Sequence, residues 1–226
     1  MNKIYSSRYI YLFFFLYSFT FGMIFPRIGD LQLQMGIGES YLGLALSGLP
    51  IGVQIALLFA DKILSLFNFR IAVSMSITIL GFFLFLASFS YEPWSFFIFL
   101  LFAGIAVGIV EVAVNIEADR VEYKIKKKIM NRSHSFWSLG FFSAGLLGAI
   151  FSQLKISPSL HFLFCFFLGV LLVFYFTKKY VVAPIRPTLN EKPSLFVIPS
   201  KKIMALVFFT LSAMLIEGAG IDWSVI

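Results

Sequence analysis

The sequence predicts an all-α membrane protein with seven transmembrane helices. Hydrophobic residues make up 60% of its 226 residues and charged residues only 13%, whereas soluble domains have about 45–50% and about 25%. The apolar residues gather in seven continuous runs, each close to the roughly 20 residues that a helix needs to cross a bilayer. Strands of a membrane β-barrel would be shorter and would alternate apolar with polar residues. A soluble domain, a disordered chain and a disulfide scaffold are therefore excluded.

Charged and turn-forming residues bound each run and set the predicted ends of the spans. The first span stops at Pro26 and Arg27. The second stops at Asp61 and Lys62, and a turn ending in Pro93 separates the third from the fourth. The predicted spans are residues 9–25, 41–60, 71–90, 94–116, 136–154, 160–177 and 203–221.

The positions of the Lys and Arg residues orient the chain in the membrane. If the N-terminus lies in the cytoplasm, all but two of the 18 basic residues fall in cytoplasmic segments, and only Arg27 and Lys155 lie outside. We therefore predict a multi-pass protein of the inner or plasma membrane with a cytoplasmic N-terminus. The net charge of +7 is then explained by the basic residues of the cytoplasmic segments, which set the orientation of the chain. We expect the lipid bilayer, and no nucleic acid, as a partner.

Two long cytoplasmic segments divide the predicted spans. Residues 117–135 separate the fourth span from the fifth, and the proline-bearing residues 178–202 separate the sixth from the seventh. We predict a six-helix transmembrane bundle over residues 1–177, a cytoplasmic central linker over residues 178–202, and the first helix of a truncated second bundle over residues 203–226.

Glycine spacing in the second and fifth spans suggests two related three-helix repeats. The glycine patterns of these spans differ by one residue, and transporters are often built from such 3+3 units. Small residues are also common wherever membrane helices pack closely, so both interpretations stay open at this point. The glycines concerned are Gly43, Gly48 and Gly52, and Gly140, Gly145 and Gly148.

The fourth span carries the clearest functional candidate, the carboxylate Glu111. Two glycines precede Glu111 and Asn115 follows it at spacings of three and four residues, which places all of them on one helix face. An acid within hydrocarbon is costly and by default marks a functional site. We predict that Glu111 and Asn115 line a substrate or proton pathway. The alternatives are a structural ion pair or a place in the cytoplasmic vestibule.

Three further polar residues are candidates for the pathway. His134 lies at the cytoplasmic mouth of the fifth span, where it either titrates near neutral pH or bonds to the helix end. Gln54 in the second span and Glu217 in the seventh either line the pathway or make structural contacts. Asp222 and Trp223 follow at the outer interface, where an aromatic anchor is expected.

The chain lacks the motifs that accompany common enzyme chemistry. It contains no H-E-x-x-H, no G-x-S-x-G, no Walker A loop and no G-x-G-x-x-G. With one Cys and two His, a metal cluster is not expected. We predict neither an enzyme nor a cofactor or metal site.

Four groups of residues at the ends of successive spans resemble one family, the major facilitator superfamily of transporters. The resemblance is to its bacterial permeases near the fucose-permease-like and drug-efflux members, and it covers the whole chain but only the first seven of twelve family helices. The residues are Pro26, Arg27 and Ile28 with residues 35–40; residues 115–118 with Val121 and Glu122; Met130, His134, Ser138, Leu139 and Gly140; and residues 217–219 with Asp222, Trp223 and Ser224.

The resemblance implies a gating loop between the second and third spans. In the superfamily this loop usually reads Gly-x-x-x-Asp-Arg/Lys-x-Gly-Arg. Asp61 and Lys62 match this pattern, whereas Leu57 replaces the first Gly and Arg70 stands at a displaced position of the final Arg. The implied fold is a pair of six-helix bundles that rock around a central site.

The expected function is secondary active transport of a small solute by alternating access, with proton coupling through Glu111 as a hypothesis and with the chain incomplete. The alternatives are a nonfunctional transporter remnant and a membrane scaffold without transport. A seven-helix receptor is disfavoured because its N-terminus should lie outside. A retinal protein would need a lysine deep in the seventh helix, whereas Lys201 and Lys202 lie at its start.

Overall fold

The computed structural model describes residues 7–185 and 199–223, apart from the side chains of residues 217, 219 and 221–223. Within these residues the regular secondary structure is entirely helical, which confirms the predicted all-α class. The helices are α1 Ser7–Gly22, α2 Ile28–Met35, α3 Glu39–Leu46, α4 Gly48–Leu66, α5 Phe69–Ala87, α6 Pro93–Ile125, α7 Met130–Gln153, α8 Pro158–Lys179 and α9 Lys201–Trp223, with a 3-10 turn Phe25–Arg27 between α1 and α2.

Helical segments long and apolar enough to cross a membrane coincide with the first six predicted spans. Many of their large apolar side chains, such as Phe82 and Phe174, are exposed, as the surface of a protein embedded in lipid requires. The seventh predicted span falls within α9. The spanning segments found in the described residues are Ser7–Met35, Glu39–Leu66, Phe69–Ala87, Pro93–Ile125, Met130–Gln153 and Pro158–Lys179.

The first span extends beyond its predicted end because Pro26 does not stop the helical path. Pro26 lies in the first positions of the 3-10 turn, where its missing N–H removes no hydrogen bond that the turn needs. α2 then carries the chain to Met35, and Gly36 ends it with a left-handed backbone (φ 63°). Residues 28–35 are therefore helical, whereas the sequence suggested a loop.

The second span also passes the charged residues that were expected to close it. Asp61 and Lys62 lie within α4, which ends only at Leu66. The connection to α5 is therefore two residues long, and the Asn68 side chain caps α5 by accepting a hydrogen bond from the Ile71 N–H (3.0 Å). Most of the predicted gating loop therefore belongs to the end of α4.

α6 departs furthest from the predicted bounds. Its 33 residues correspond to about 50 Å at 1.5 Å per residue, well beyond a hydrocarbon core of about 30 Å. Since α7 begins at Met130, most of the predicted cytoplasmic segment 117–135 is helical. The sequence suggested an earlier end because Glu117 and Glu122 are charged, but both carboxylates accept hydrogen bonds within the protein.

α4 and α6 cross so closely that only glycine fits at the contact. A Cβ on Gly52 would lie 2.0 Å from the carbonyl oxygen of Leu101, and a Cβ on Gly104 would lie 2.1 Å from that of Leu49. Both distances are far below van der Waals contact. Backbone therefore packs on backbone, as in other small-residue membrane interfaces.

α1 and α7 form the matching contact. A Cβ on Gly140 would lie 2.3 Å from the carbonyl oxygen of Phe15, and Ser18 Oγ donates to the carbonyl oxygen of Trp137 (2.7 Å). The second span of each three-span group packs on the first span of the other group. Thus α4 packs on α6, and α7 packs on α1. This reciprocal exchange is the arrangement expected of two related repeats, and it supports that interpretation of the glycine spacing.

The chain divides into two compact units, Met1–Pro184 and Ile185–Ile226. The first contains the six spanning segments and continues past α8 through the buried residues Tyr180 and Ala183. The second contains α9. The middle of the predicted linker, residues 186–198, lies outside the described residues.

Candidate functional site

Glu111 lies about midway along α6 and is half-buried. Its carboxylate interacts electrostatically with His134 of α7 and with the Tyr17 hydroxyl of α1. A carboxylate in a spanning helix is rarely retained without a partner or a function. Three helices therefore converge on this acid.

Asn115 follows Glu111 by one helical turn on α6. Its Nδ2 donates to the backbone carbonyl oxygen of Glu111 (2.9 Å), which fixes the direction of the amide group. An amide side chain carries both donors and an acceptor. Asn115 thus adds neutral hydrogen-bonding capacity beside the charge.

Aromatic side chains from α1 and α7 form the wall beside Glu111. The rings of Tyr17 and Trp137 lie 6.3 Å apart, and Trp137 stacks on Phe141 at 5.5 Å. His134 packs edge-on against Phe14 at 5.2 Å. The indole Nε1 of Trp137 is buried within this wall.

The structure thus brings together three of the five predicted pathway residues, namely Glu111, Asn115 and His134. Gln54 is exposed on α4. The side chain of Glu217 lies outside the described residues. Sequence reasoning missed Tyr17 and Trp137, and with 19% aromatic residues in the chain no local signal distinguishes these two from the other aromatic positions.

The residues predicted to form the gating loop occupy two helices. Asp61 and Lys62 are exposed on the last turns of α4, and Arg70 lies in the first turn of α5. An Arg70 guanidinium N–H donates to the backbone carbonyl oxygen of Tyr180. Arg70 therefore contacts the segment that follows α8.

The predicted family-motif residues make specific contacts at the helix ends. Arg27 is buried; its Nε lies 2.8 Å from an Asp30 carboxylate oxygen, and it donates to the carbonyl oxygen of Ile156 (2.6 Å). Pro26 packs closely on Gly148, since a Cβ added to Gly148 would lie 2.3 Å from Pro26 Cγ. These contacts tie the end of the first span to α7 and to the α7–α8 connection.

Glu122 caps α7 from the end of α6. Its Oε1 accepts hydrogen bonds from the N–H groups of Ile129 (2.5 Å) and Met130 (2.7 Å), and its negative charge lies at the positive end of the helix dipole. Gly140 lies against α1 as described above. Asp222 and Trp223 belong to α9, but their side chains lie outside the described residues.

A second buried carboxylate, Glu117, was not among the predicted site residues. Its Oε1 accepts hydrogen bonds from the Tyr180 hydroxyl (2.8 Å) and the Ala183 N–H (2.6 Å), and its Oε2 lies 3.4 Å from Arg120 Nη1. Burial and the charge of Glu117 together raise the pKa of Tyr180. The i, i+3 spacing of Glu117 and Arg120 was the only sequence signal, because Tyr180 is distant in the chain.

Among the described residues, no group of His, Cys, Asp and Glu side chains is placed to hold a metal ion.

Comparisons with known proteins place the chain in a family. The family model of the Major Facilitator Superfamily matches residues 10–222. An uncharacterized MFS-type transporter of Yersinia pestis is 27% identical over 202 residues, which are 89% of this chain and 52% of that protein. The chain therefore spans about half the length of this relative. No solved structure gives a significant match.

The family match covers all six spanning segments and reaches into α9, and it agrees with the all-helical fold and the motif residues at the helix ends. The chain belongs to the Major Facilitator Superfamily.

Proposed function

We propose that this protein carries a small solute by alternating access, with the solute bound beside Glu111. The observation that carries the proposal is the convergence of Glu111, Tyr17 and His134 from three spanning helices. Since the chain spans about half of its relative, the binding site is completed by a second helical bundle. The membrane is the inner or plasma membrane, with the N-terminus in the cytoplasm.

The chemistry of the site limits the solute. The carboxylate of Glu111 and the side-chain amide of Asn115 can both accept hydrogen bonds. Aromatic rings stack on apolar faces and attract cations. We infer a solute that presents hydrogen-bond donors on one side and an apolar or cationic face on the other.

Proton coupling through Glu111 is supported by its electrostatic interactions with His134 and Tyr17. Protonation would remove the charge that interacts with these two side chains and would free the acid's oxygens for a different set of partners. Proton binding would therefore favour one arrangement of the three helices, which is the requirement for coupling to an alternating-access cycle.

The experiment uses the protein encoded by the complete gene, reconstituted into vesicles that contain a pH-sensitive dye. A panel of sugars and small organic cations is added outside, and both the internal pH and the exchange of labelled solute are followed. In the Glu111→Gln variant, we expect solute-driven proton movement to fall at least tenfold while solute exchange continues, because the amide keeps the shape but cannot exchange a proton.

The matched control is Glu92→Gln, which neutralises an exposed acid in the turn before α6. This variant should behave like the wild type. Undiminished proton movement in Glu111→Gln would contradict the coupling proposal, and a lack of any solute-driven signal or exchange with the wild type would count against transport and favour a scaffold or remnant.

A further inference from the structure

A groove between α5 and α8 has the features of a lipid-binding site. It has a volume of about 520 Å³ and is lined by Arg70, Ile71, Ser74, Met75, Phe174, Thr177 and Lys178. These residues belong to the start of α5 and the end of α8, which lie side by side at one end of the bundle. None of them takes part in the Glu111 site, which is built on α1, α6 and α7.

The charge of the groove is concentrated at this end. Arg70 and Lys178 are both exposed, and the lining contains no acidic residue. Arg70 uses one N–H to bind the carbonyl oxygen of Tyr180, and a guanidinium group has five N–H donors in total. The groove can therefore attract an anion and also donate several hydrogen bonds to it.

Beneath the two cations, the floor of the groove is polar. Ser74 Oγ and Thr177 Oγ1 lie 3.2 Å apart and share a hydrogen bond between α5 and α8. Thr177 Oγ1 also donates to the carbonyl oxygen of Val173 (2.7 Å). This pair marks the boundary between the charged mouth and the apolar part of the groove.

From this boundary, two exposed apolar rows continue along the helices. On α5 the row is Met75, Ile79 and Phe82, and on α8 it is Phe174, Leu171 and Phe167. The helices stay in contact between the rows, since a Cβ on Gly81 would lie 3.0 Å from the Phe166 ring. From Arg70 to Phe82 the distance along α5 is about 18 Å at 1.5 Å per residue, close to the roughly 15 Å depth of one hydrocarbon leaflet.

We propose that this groove binds an anionic phospholipid, with the phosphodiester headgroup between Arg70 and Lys178 and one acyl chain along the apolar rows. Basic pockets between membrane helices suit anionic headgroups, and the length of the rows suits an acyl chain. A free phosphate ion would use only the charged mouth. The proposal requires that the chain is embedded in a membrane and does not depend on transport.

The experiment measures retention of phosphatidylglycerol by the purified full chain in mild detergent, using native mass spectrometry and a lipid titration. The Arg70→Ala/Lys178→Ala variant should bind this lipid roughly 30-fold more weakly, since each cation near a headgroup contributes about 1 kcal/mol. Phosphatidylcholine, which has no net charge, should bind the wild type as weakly as phosphatidylglycerol binds the variant.

The matched control is Lys128→Ala/Arg132→Ala, which removes one Lys and one Arg from a separate basic pocket at the junction of α6 and α7. It should retain phosphatidylglycerol like the wild type. An equal loss in both double variants would overturn the proposal, because it would mean general attraction to basic surface.

Because Arg70 also binds Tyr180, a second variant tests the groove without removing a charge. Met75→Trp places a larger side chain in the apolar part, and we expect it to weaken phosphatidylglycerol binding at least fivefold. Unchanged binding in this variant, or displacement of the lipid by 20 mM inorganic phosphate, would contradict the lipid proposal and indicate a site for a soluble anion.

Discussion

The carboxylate of Glu117 holds in place the residues that directly follow the sixth span. Glu117 is fully buried, and burying a carboxylate costs several kcal/mol unless donors surround it. Tyr180, Ala183 and Arg120 supply those donors from two parts of the chain. The backbone after α8 is therefore held against α6 as far as Ala183.

Removing one donor should measurably destabilise the bundle. In Tyr180→Phe, Glu117 loses the hydroxyl bond (2.8 Å), and we expect the free energy of unfolding to fall by about 1.5–3 kcal/mol, as for other bonds to charged groups. Thermal unfolding in detergent checks this. Tyr175→Phe is the control, because its hydroxyl accepts a hydrogen bond from the exposed Lys179 (2.7 Å), and this change should alter stability by less than about 0.5 kcal/mol.

The same tyrosine should give the protein an alkaline limit. The pKa of Tyr180 is raised in the folded state, so its contribution to stability is complete below the ordinary tyrosine pKa of about 10 and is lost progressively as the pH rises above it. The stability difference between the wild type and Tyr180→Phe should therefore shrink between about pH 10 and pH 11. A stability difference that stays constant over this interval would show that the pKa of Tyr180 is not raised in the folded state.

At the scale of elements, backbone contact between α4 and α6 sets the width of the bundle. Gly52 and Gly104 meet the carbonyl oxygens of Leu101 and Leu49 directly, and no side chain separates the helices there. Membrane helices gain little from burying apolar area against each other, so close packing carries their association. A single methyl group at this crossing should separate the two helices.

Gly52→Ala tests the importance of this crossing. Its Cβ would lie 2.0 Å from the Leu101 carbonyl oxygen, so we expect a loss of about 2 kcal/mol or more, within or above the range for overpacked cores. The matched control is Gly145→Ala on α7, where a Cβ would meet no described atom within 4 Å. If the melting curves of Gly52→Ala and Gly145→Ala coincide, the two helices do not cross as closely as described.

At the scale of the whole molecule, the proposed orientation in the membrane can be tested directly. The proposed orientation places the α6–α7 connection in the cytoplasm and the α7–α8 connection outside. Lys127 and Lys155 are exposed in these two connections, so each offers a reporter position.

Cysteine labelling tests the orientation in intact cells. In a Cys165→Ser background, Lys155→Cys should react with a membrane-impermeant thiol reagent, whereas Lys127→Cys should react only after the cells are opened. Cys165 is buried and is the one cysteine of the chain. In the Cys165→Ser background, the introduced cysteine is therefore the one thiol that the reagent can label. The reverse labelling pattern would place the N-terminus outside.

The sequence predicted the spans well and their ends poorly. Continuous apolar runs reveal a membrane helix, but a charged residue such as Glu117 or Asp61 ends only the apolar run and not the helix. Glu111 could be proposed as a site residue because an acid is rare within a span, and its role stays a prediction. Tyr17 and Trp137 could not, since the contact between their helices joins positions such as Ser18 and Trp137 that are 119 residues apart.

The exchanged packing of the helices also constrains the order of assembly during synthesis. α1 is made well before its glycine-mediated partner α7, which begins only at Met130 after three further spanning segments, whereas α4 meets α6 soon after it is made. Of the two glycine-mediated pairs, α1 and α7 therefore stay apart longer during synthesis.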